Sequence, residues 1–224
     1  MKKYLIEFVG TFFLVLIIGL SENPVAIGLG LSVLVYMGAH ISGAHYNPAV
    51  SLAMFIKKDL DKNEFVIYII SQILGATFAS IILSLLSINM QVQPNLGESI
   101  FSVFASEILF TYLLVFVILN VACHPAIKDN SFYGIAIGLT VMTGAFCVGP
   151  ISGGVFNPAV SIGPSIFDLI NGSGSSYSFT WYYILAPSIG SVLAFFHFNY
   201  FILSPINWSR GQRIKEMVRY RFNT

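Results

Sequence analysis

Long apolar blocks, separated by short polar segments, dominate the hydrophobic pattern of this chain. A helix that crosses a bilayer needs roughly 20 mainly apolar residues, and six blocks approach that length. A transmembrane barrel would instead show alternating segments of about ten residues. We therefore predict an all-α membrane protein with six spanning helices, at Tyr4 to Leu20, Val25 to His40, Phe65 to Leu86, Phe101 to Ala122, Tyr133 to Val148 and Tyr182 to Leu203.

Two shorter apolar stretches each follow an Asn-Pro-Ala tripeptide. Asparagine is a favoured N-cap and proline a favoured first helical residue, so each tripeptide predicts the start of a helix. The stretches, Val50 to Ile56 and Val160 to Phe167, are too short to span a bilayer. We predict two re-entrant half-helices that enter the membrane from opposite sides. The two motifs comprise Asn47, Pro48, Ala49, Asn157, Pro158 and Ala159.

The chain contains an internal repeat, with halves at about 1–100 and 101–205. The segment that begins at Glu7 matches the segment that begins at Glu107. Three spans per half invert one half relative to the other, which places a site near the membrane midplane. We predict a single channel-like domain over 1–224, in which 206–224 form a basic cytoplasmic tail.

Each predicted half-helix is preceded by non-helical backbone. Such backbone is tolerated within a membrane only where it is buried or lines water. We therefore expect these loops to line a pore, while the intramembrane carboxylates of Glu7 and Glu107 accept hydrogen bonds from loop N–H groups and hold the loops in shape. The predicted pore-lining loop residues are Gly43, Ala44, His45, Gly153, Val155 and Phe156.

The composition supports an integral membrane protein and excludes several other classes. Hydrophobic residues make up 56% of the 224 residues and charged residues 9%, with a mean hydropathy of +0.79. The net charge of +1 gives no sign of nucleic-acid binding. Cys123 and Cys147 lack metal-ligand spacing, and no Ser/His/Asp set or phosphate loop is visible. We predict no metal, no cofactor and no enzymatic activity.

The basic residues predict the orientation. If both termini are cytoplasmic, every Lys and Arg lies on the cytoplasmic side, as the positive-inside rule requires. The outer loops, around Glu22, Glu98 and Asp168, then contain none. A cell (inner) membrane is the expected location. The basic residues are Lys2, Lys3, Lys57, Lys58, Lys62, Lys128, Arg210, Arg213, Lys215, Arg219 and Arg221.

The paired Asn-Pro-Ala motifs within six inverted-repeat spans resemble the aquaporin, or major intrinsic protein, family over essentially the whole chain. The resemblance implies a homotetramer in membrane lipid, in which every protomer has its own pore. It also implies a selectivity filter on the outer side of the asparagine pair. Counting from the motifs, the filter positions are Ile27, Ala145, Gly154 and Val160.

This filter departs from the common pattern. Water-selective members commonly have an aromatic residue, a histidine and an arginine where this chain has Ile27, Ala145 and Val160. We expect a wider, apolar filter that passes water, urea, ammonia and peroxide, with glycerol and uncharged arsenic hydroxides as further candidates, and excludes ions and protons. The alternatives are a strictly water-selective channel and a coupled secondary transporter. The inferred pore lining offers no carboxylate for such coupling.

Overall fold

The computed structural model describes residues 1–127, 129–172 and 174–202 of the chain, and the predicted 206–224 tail lies outside this part. Within it, every regular element is helical. Six helices are long and apolar enough to cross a membrane, which confirms the predicted spans. The α-helices are α1 (Lys2–Ser21), α2 (Pro24–Ser42), α3 (Pro48–Ile56), α4 (Lys62–Leu85), α5 (Ile100–Ile118), α6 (Tyr133–Ser152), α7 (Pro158–Asn171) and α8 (Thr180–His197).

Two helices end four residues later than the apolar pattern predicts. Helix α6 continues through Pro150 to Ser152 instead of ending at Val148. Its last carbonyl groups have partners outside the helix, because the backbone N–H of Asn95 donates to Ile151 O at 3.1 Å and the Asn95 side chain to Pro150 O at 3.2 Å. Helix α7 ends at Asn171 instead of Phe167.

Three short helical segments complete the described chain. Leu119–Cys123 continues α5 and Phe198–Ile202 continues α8, each as a π-helical turn. Ser176–Phe179 forms a 3₁₀ turn before α8. The apolar pattern predicted two of these segments only as parts of longer spans, because hydropathy does not distinguish one helix type from another.

The structure has two faces at the ends of its spans. Lys3 forms an ion pair with Glu64, and Lys57 forms one with Asp59 at 2.6 Å. We call the side on which these pairs lie the lysine face, and the other side the opposite face. Helix α1 starts at the lysine face, and the described chain returns there after α8, so an even number of spans separates its two ends.

The two halves pack in the same way where the first and third spans of each half cross. A Cβ atom on Gly75 in α4 would collide with the carbonyl oxygen of Phe8 in α1, and one on Gly190 in α8 would collide with the carbonyl oxygen of Ile108 in α5. Glycine at these crossings lets the helix backbones touch directly. Helix α4 is therefore equivalent to α8 in the repeat, and a residue of α4 corresponds to the residue 115 positions later in α8.

We predict that Gly75→Ala destabilises the protein, since overfilling a packed core commonly costs about 1–3 kcal/mol. Thermal unfolding in detergent measures the loss. Gly149→Ala is the matched control, because a Cβ at Gly149 would have no neighbouring atom within 4 Å. Equal melting temperatures for the two variants would contradict the direct backbone contact between α1 and α4.

Candidate pore and its asparagine pair

The two motif asparagines cap their own half-helices. Asn47 Oδ1 accepts from the backbone N–H of Ala49 at 2.8 Å, and Asn157 Oδ1 accepts from that of Ala159 at 3.0 Å. Proline follows each asparagine as the first helical residue. Each cap satisfies one of the free N–H groups at a helix start. The start of α3 and the start of α7 are therefore built alike.

Each asparagine also reaches across to the other half. Asn47 Nδ2 donates to the carbonyl oxygen of Phe156 at 2.8 Å, and Asn157 Nδ2 donates to that of Tyr46 at 2.9 Å. We call this reciprocal pair of hydrogen bonds the asparagine clasp. Each hydrogen bond joins the asparagine that caps one half-helix to the residue that precedes the asparagine of the other. The N-terminal ends of α3 and α7 therefore meet in the middle of the molecule.

The clasp uses part of the donor capacity of the asparagine amides. With its oxygen engaged in capping, each amide has two N–H donors left. The structure commits one N–H of each to the clasp, because Tyr46 O and Phe156 O need donors. One N–H per asparagine remains, and both residues line the central cavity.

The loops before the half-helices share an unusual backbone. Gly43 and Gly153 have φ angles of 85° and 88°, while Tyr46 and Phe156 have φ angles of 50° and 49°. A non-glycine residue in the left-handed region costs about 1–3 kcal/mol and persists only when its surroundings hold it. In each loop a buried carboxylate provides that hold.

Glu7 of α1 binds the first loop. Its carboxylate accepts from the backbone N–H groups of His45 at 3.0 Å and Tyr46 at 2.7 Å, and from Ser42 Oγ at 2.6 Å. The Glu7 side chain is fully buried. The carboxylate replaces the partners that these loop N–H groups would lack in a membrane.

Glu107 of α5 binds the second loop in the same manner. It accepts from the backbone N–H groups of Val155 at 3.0 Å and Phe156 at 2.7 Å, and from Ser152 Oγ at 2.7 Å. Glu107 is also fully buried. The hydrogen bonds predicted for both carboxylates are thus present, and they join each loop to the first helix of its own half.

Tyrosines and serines that the sequence reasoning missed support the same loops. Tyr68 Oη donates to Ser42 O at 2.8 Å, and Tyr183 Oη donates to Ser152 O at 2.6 Å. Ser42 and Ser152 occupy equivalent positions in the two copies of the repeated motif, five residues before Asn47 and Asn157. Aligning the halves beyond the motif would have identified these pairs as equivalent.

A cavity of about 1010 Å³ runs between the two faces. Lys3 and Asp59 line it at the lysine face, and Glu22 and Gln93 line it at the opposite face. The prolines and alanines of the two motifs do not line the cavity, because they are buried in the half-helices behind it. The predicted residues that line it are Ile27, Gly43, Ala44, His45, Asn47, Ala145, Gly153, Gly154, Val155, Phe156, Asn157 and Val160.

The four predicted filter residues contribute no polar side chain to the cavity. Ile27, Ala145 and Val160 are aliphatic, and Gly154 has no side chain. Gly154 lies against Ala145, since a Cβ on Gly154 would be 3.2 Å from Ala145 Cα. Gly154 also has a φ of 62°, so glycine suits both the backbone and the space.

The described residues offer no metal centre. No group of three or more His, Cys, Asp or Glu residues in that part of the chain could hold an ion. Cys123 and Cys147 are free thiols.

An inverted pair of three-span halves, with two half-helices meeting at a continuous cavity, defines a membrane channel. The model of the family described as "Major intrinsic protein" matches residues 1–198. The chain belongs to this family, as its motifs indicated.

Sequence similarity to known proteins extends over nearly the whole chain. Glycerol uptake facilitator protein-like 6 of Lactiplantibacillus plantarum is 38% identical over an alignment of 214 positions that covers 88% of this chain and 96% of the relative. Nodulin-26 of Glycine max is 34% identical over 218 residues, covering 89% and 77% of the two chains. The X-ray structure of the aquaglyceroporin from Plasmodium falciparum superposes with a TM-score of 0.80 at 21% identity, over 90% of this chain and 96% of that one. That likeness shows the shared fold.

We predict that Glu107→Gln weakens the second loop. A glutamine amide would turn its NH₂ toward a hydrogen-bond donor, and one unsatisfied buried N–H costs about 1–3 kcal/mol. Denaturation in detergent should show a loss of that size. Glu98→Gln, at an exposed position, serves as the control. Unchanged stability of Glu107→Gln would show that the carboxylate does not hold the loop.

Proposed function

We propose that this protein is a passive channel for water and small uncharged solutes that excludes ions and protons. The observation that carries the proposal is the combination of an apolar filter with the asparagine clasp in one continuous cavity. Val160 stands where water-selective members commonly have an arginine, so the filter has neither the bulk nor the donors of that residue. We therefore expect uncharged molecules larger than water to pass through the filter.

The exclusion of cations follows from the two half-helices. The N-terminus of a helix carries roughly half an elementary positive charge, and here two such ends meet at the clasp. A cation would also lose hydration in the apolar filter, whose four residues offer no polar side chain to replace it. Neutral solutes avoid both costs.

The exclusion of protons follows from the remaining amide hydrogens. A water molecule that accepts from Asn47 and Asn157 together turns its own hydrogens away from both residues. Such a molecule breaks the line of hydrogen bonds along which a proton would hop. The same two donors leave the passage of whole water molecules unhindered.

The names of the relatives favour a broad solute range. The relative from Lactiplantibacillus plantarum is named for glycerol uptake, and 38% identity over nearly its whole length supports glycerol among the solutes of this chain. Urea, ammonia, peroxide and uncharged arsenic hydroxides share its lack of charge. A strictly water-selective channel is the outcome that flux measurements would show if neighbouring side chains closed the filter.

We further propose that the protein is a homotetramer in the cell (inner) membrane, with the lysine face in the cytoplasm. The orientation rests on Lys2, Lys3, Lys57, Lys58 and Lys62, which lie at the ends of elements on that face. Large apolar side chains are exposed around the bundle, as expected for contact with lipid or with neighbouring protomers.

We predict that Val160→Arg narrows the filter and lowers urea and glycerol permeability more than water permeability. If the substitution raises the barrier for the solute by about 1.4 kcal/mol more than the barrier for water, the ratio of solute to water permeability falls about tenfold. Stopped-flow light scattering of proteoliposomes measures all three permeabilities. Val160→Leu is the control, because it adds bulk without charge. A parent protein that already excludes urea and glycerol while conducting water would contradict the wide filter.

We predict that Asn157→Asp admits cations. The substitution places a negative charge where the two helix N-termini meet, which lowers the barrier that their dipoles raise. It also removes the donor to Tyr46 O. Planar-bilayer recordings should show Na⁺ or K⁺ current in this variant and none in the parent. Ion-tight behaviour of both Asn157→Asp and Asn47→Asp would overturn this account of cation exclusion.

A further inference from the structure

The two halves differ in the side chains behind their half-helices. Ser51 Oγ in α3 lies 3.0 Å from His45 Nδ1 and 2.9 Å from Gln72 Nε2. At the equivalent place in α7, Ser161 Oγ is buried and has no hydrogen-bond partner among the described residues. The first half therefore has a polar network that the second half lacks.

The repeat explains why the second half lacks it. With the shift of 115 residues between α4 and α8, Pro187 corresponds to Gln72. In the second loop, Val155 corresponds to His45. Neither residue has a side-chain group that can form a hydrogen bond. The same fold thus provides an internal comparison, in which only one half connects its carboxylate to a side chain in the cavity.

Glu7 fixes the direction of the hydrogen bonds in the network. The carboxylate accepts from two backbone N–H groups and one hydroxyl, so it acts as an acceptor throughout. Gln72 must therefore direct its nitrogen at the carboxylate, and Nε2 lies 2.8 Å from Glu7 Oε2. The second hydrogen of that nitrogen then points to Ser51 Oγ.

The hydrogen bond from Gln72 determines how Ser51 contacts the histidine. Its oxygen accepts from Gln72, so its own hydrogen needs a different acceptor. Among the hydrogen bonds of the described residues, the acceptor in reach is His45 Nδ1. A ring nitrogen that accepts carries no hydrogen, so neutral His45 holds its proton on Nε2.

The ring of His45 is positioned at the cavity. His45 lines the lysine-face half, and its ring centroid lies 5.1 Å from that of Tyr68. Its Nε2 atom has no hydrogen-bond partner among residues 1–127, 129–172 and 174–202. The ring thus keeps an N–H available to a molecule in the cavity.

We propose that His45 is a specificity-determining residue, which donates its Nε2–H to passing solutes, and that Ser51, Gln72 and Glu7 are its positioning residues. This inference rests on the proposed function and deepens it. The solutes it favours are small uncharged molecules with exposed oxygen acceptors, such as glycerol and urea. The apolar filter offers such molecules no side-chain donor, so His45 supplies one on the other side of the clasp.

The hydrogen position is tested by nitrogen-15 NMR of histidine-labelled protein in lipid, which distinguishes the two neutral tautomers. His45→Val copies the residue of the second half and identifies the His45 signal by its loss. The parent should show the Nε2–H tautomer. Ser51→Ala should shift the population toward Nδ1–H, Ser51→Thr should retain the parent tautomer, and Ser161→Ala should leave the signal unchanged. A parent in the Nδ1–H form, or no shift in Ser51→Ala, would overturn the proposal.

The effect on transport is tested with the same variants in proteoliposomes. Ser51→Ala should lower the ratio of glycerol to water permeability by about threefold to tenfold, the range expected for one net hydrogen bond. Ser51→Thr should restore the ratio, and Ser161→Ala should match the parent. An equal loss in Ser51→Ala and Ser161→Ala would reveal a packing effect and overturn the proposal. A parent that conducts neither water nor glycerol contradicts the proposed function itself, and the tautomer measurement then decides the network separately.

Discussion

The asparagine clasp is the interaction on which the rest of the structure depends. Two amide-to-carbonyl hydrogen bonds, of 2.8 and 2.9 Å, hold the half-helix starts together at the centre of the molecule. Each asparagine can reach the other loop only because its own loop is held in the left-handed conformation before the motif. That conformation in turn depends on the buried carboxylates of Glu7 and Glu107, which bind the loop N–H groups. A channel with opposed helix N-termini is the outcome of this chain of contacts.

The internal repeat builds the scaffold twice but does not build the same pore lining twice. Carboxylate, serine, tyrosine and asparagine recur in both halves and perform the same contacts. The departures occur at the cavity and in the layer behind it: Val155 takes the place of His45 in the second half, and Pro187 takes the place of Gln72. Symmetry therefore fixes the backbone of the channel, while the departures from symmetry give its two ends different chemistry. On one side of the clasp the four predicted filter residues have no polar side chain, and on the lysine-face side a histidine with a hydrogen-bond network behind it lines the cavity.

Sequence reasoning predicted the spans, the half-helices and the carboxylate contacts, because long apolar blocks, Asn-Pro helix starts and a repeated intramembrane glutamate each have one strong physical meaning. It missed contacts that depend on distant residues meeting in space. The continuation of α6 through Pro150 depends on Asn95, which lies 55 positions away. The clasp depends on the carbonyl groups of Tyr46 and Phe156, which have no signature in the residue types. The role of Gln72 depends on its contacts with Glu7 and Ser51, which lie 65 and 21 positions away in the chain.

The measurement that tests the central claim most directly compares water and proton flux through the parent protein in the same vesicles. Stopped-flow light scattering reports water, and an enclosed pH-sensitive dye reports protons under an imposed gradient. If two facing helix ends and two asparagine donors organise the centre of the pore, water permeability rises well above that of protein-free vesicles while proton flux stays at their level. Proton flux that rises together with water flux would contradict the account.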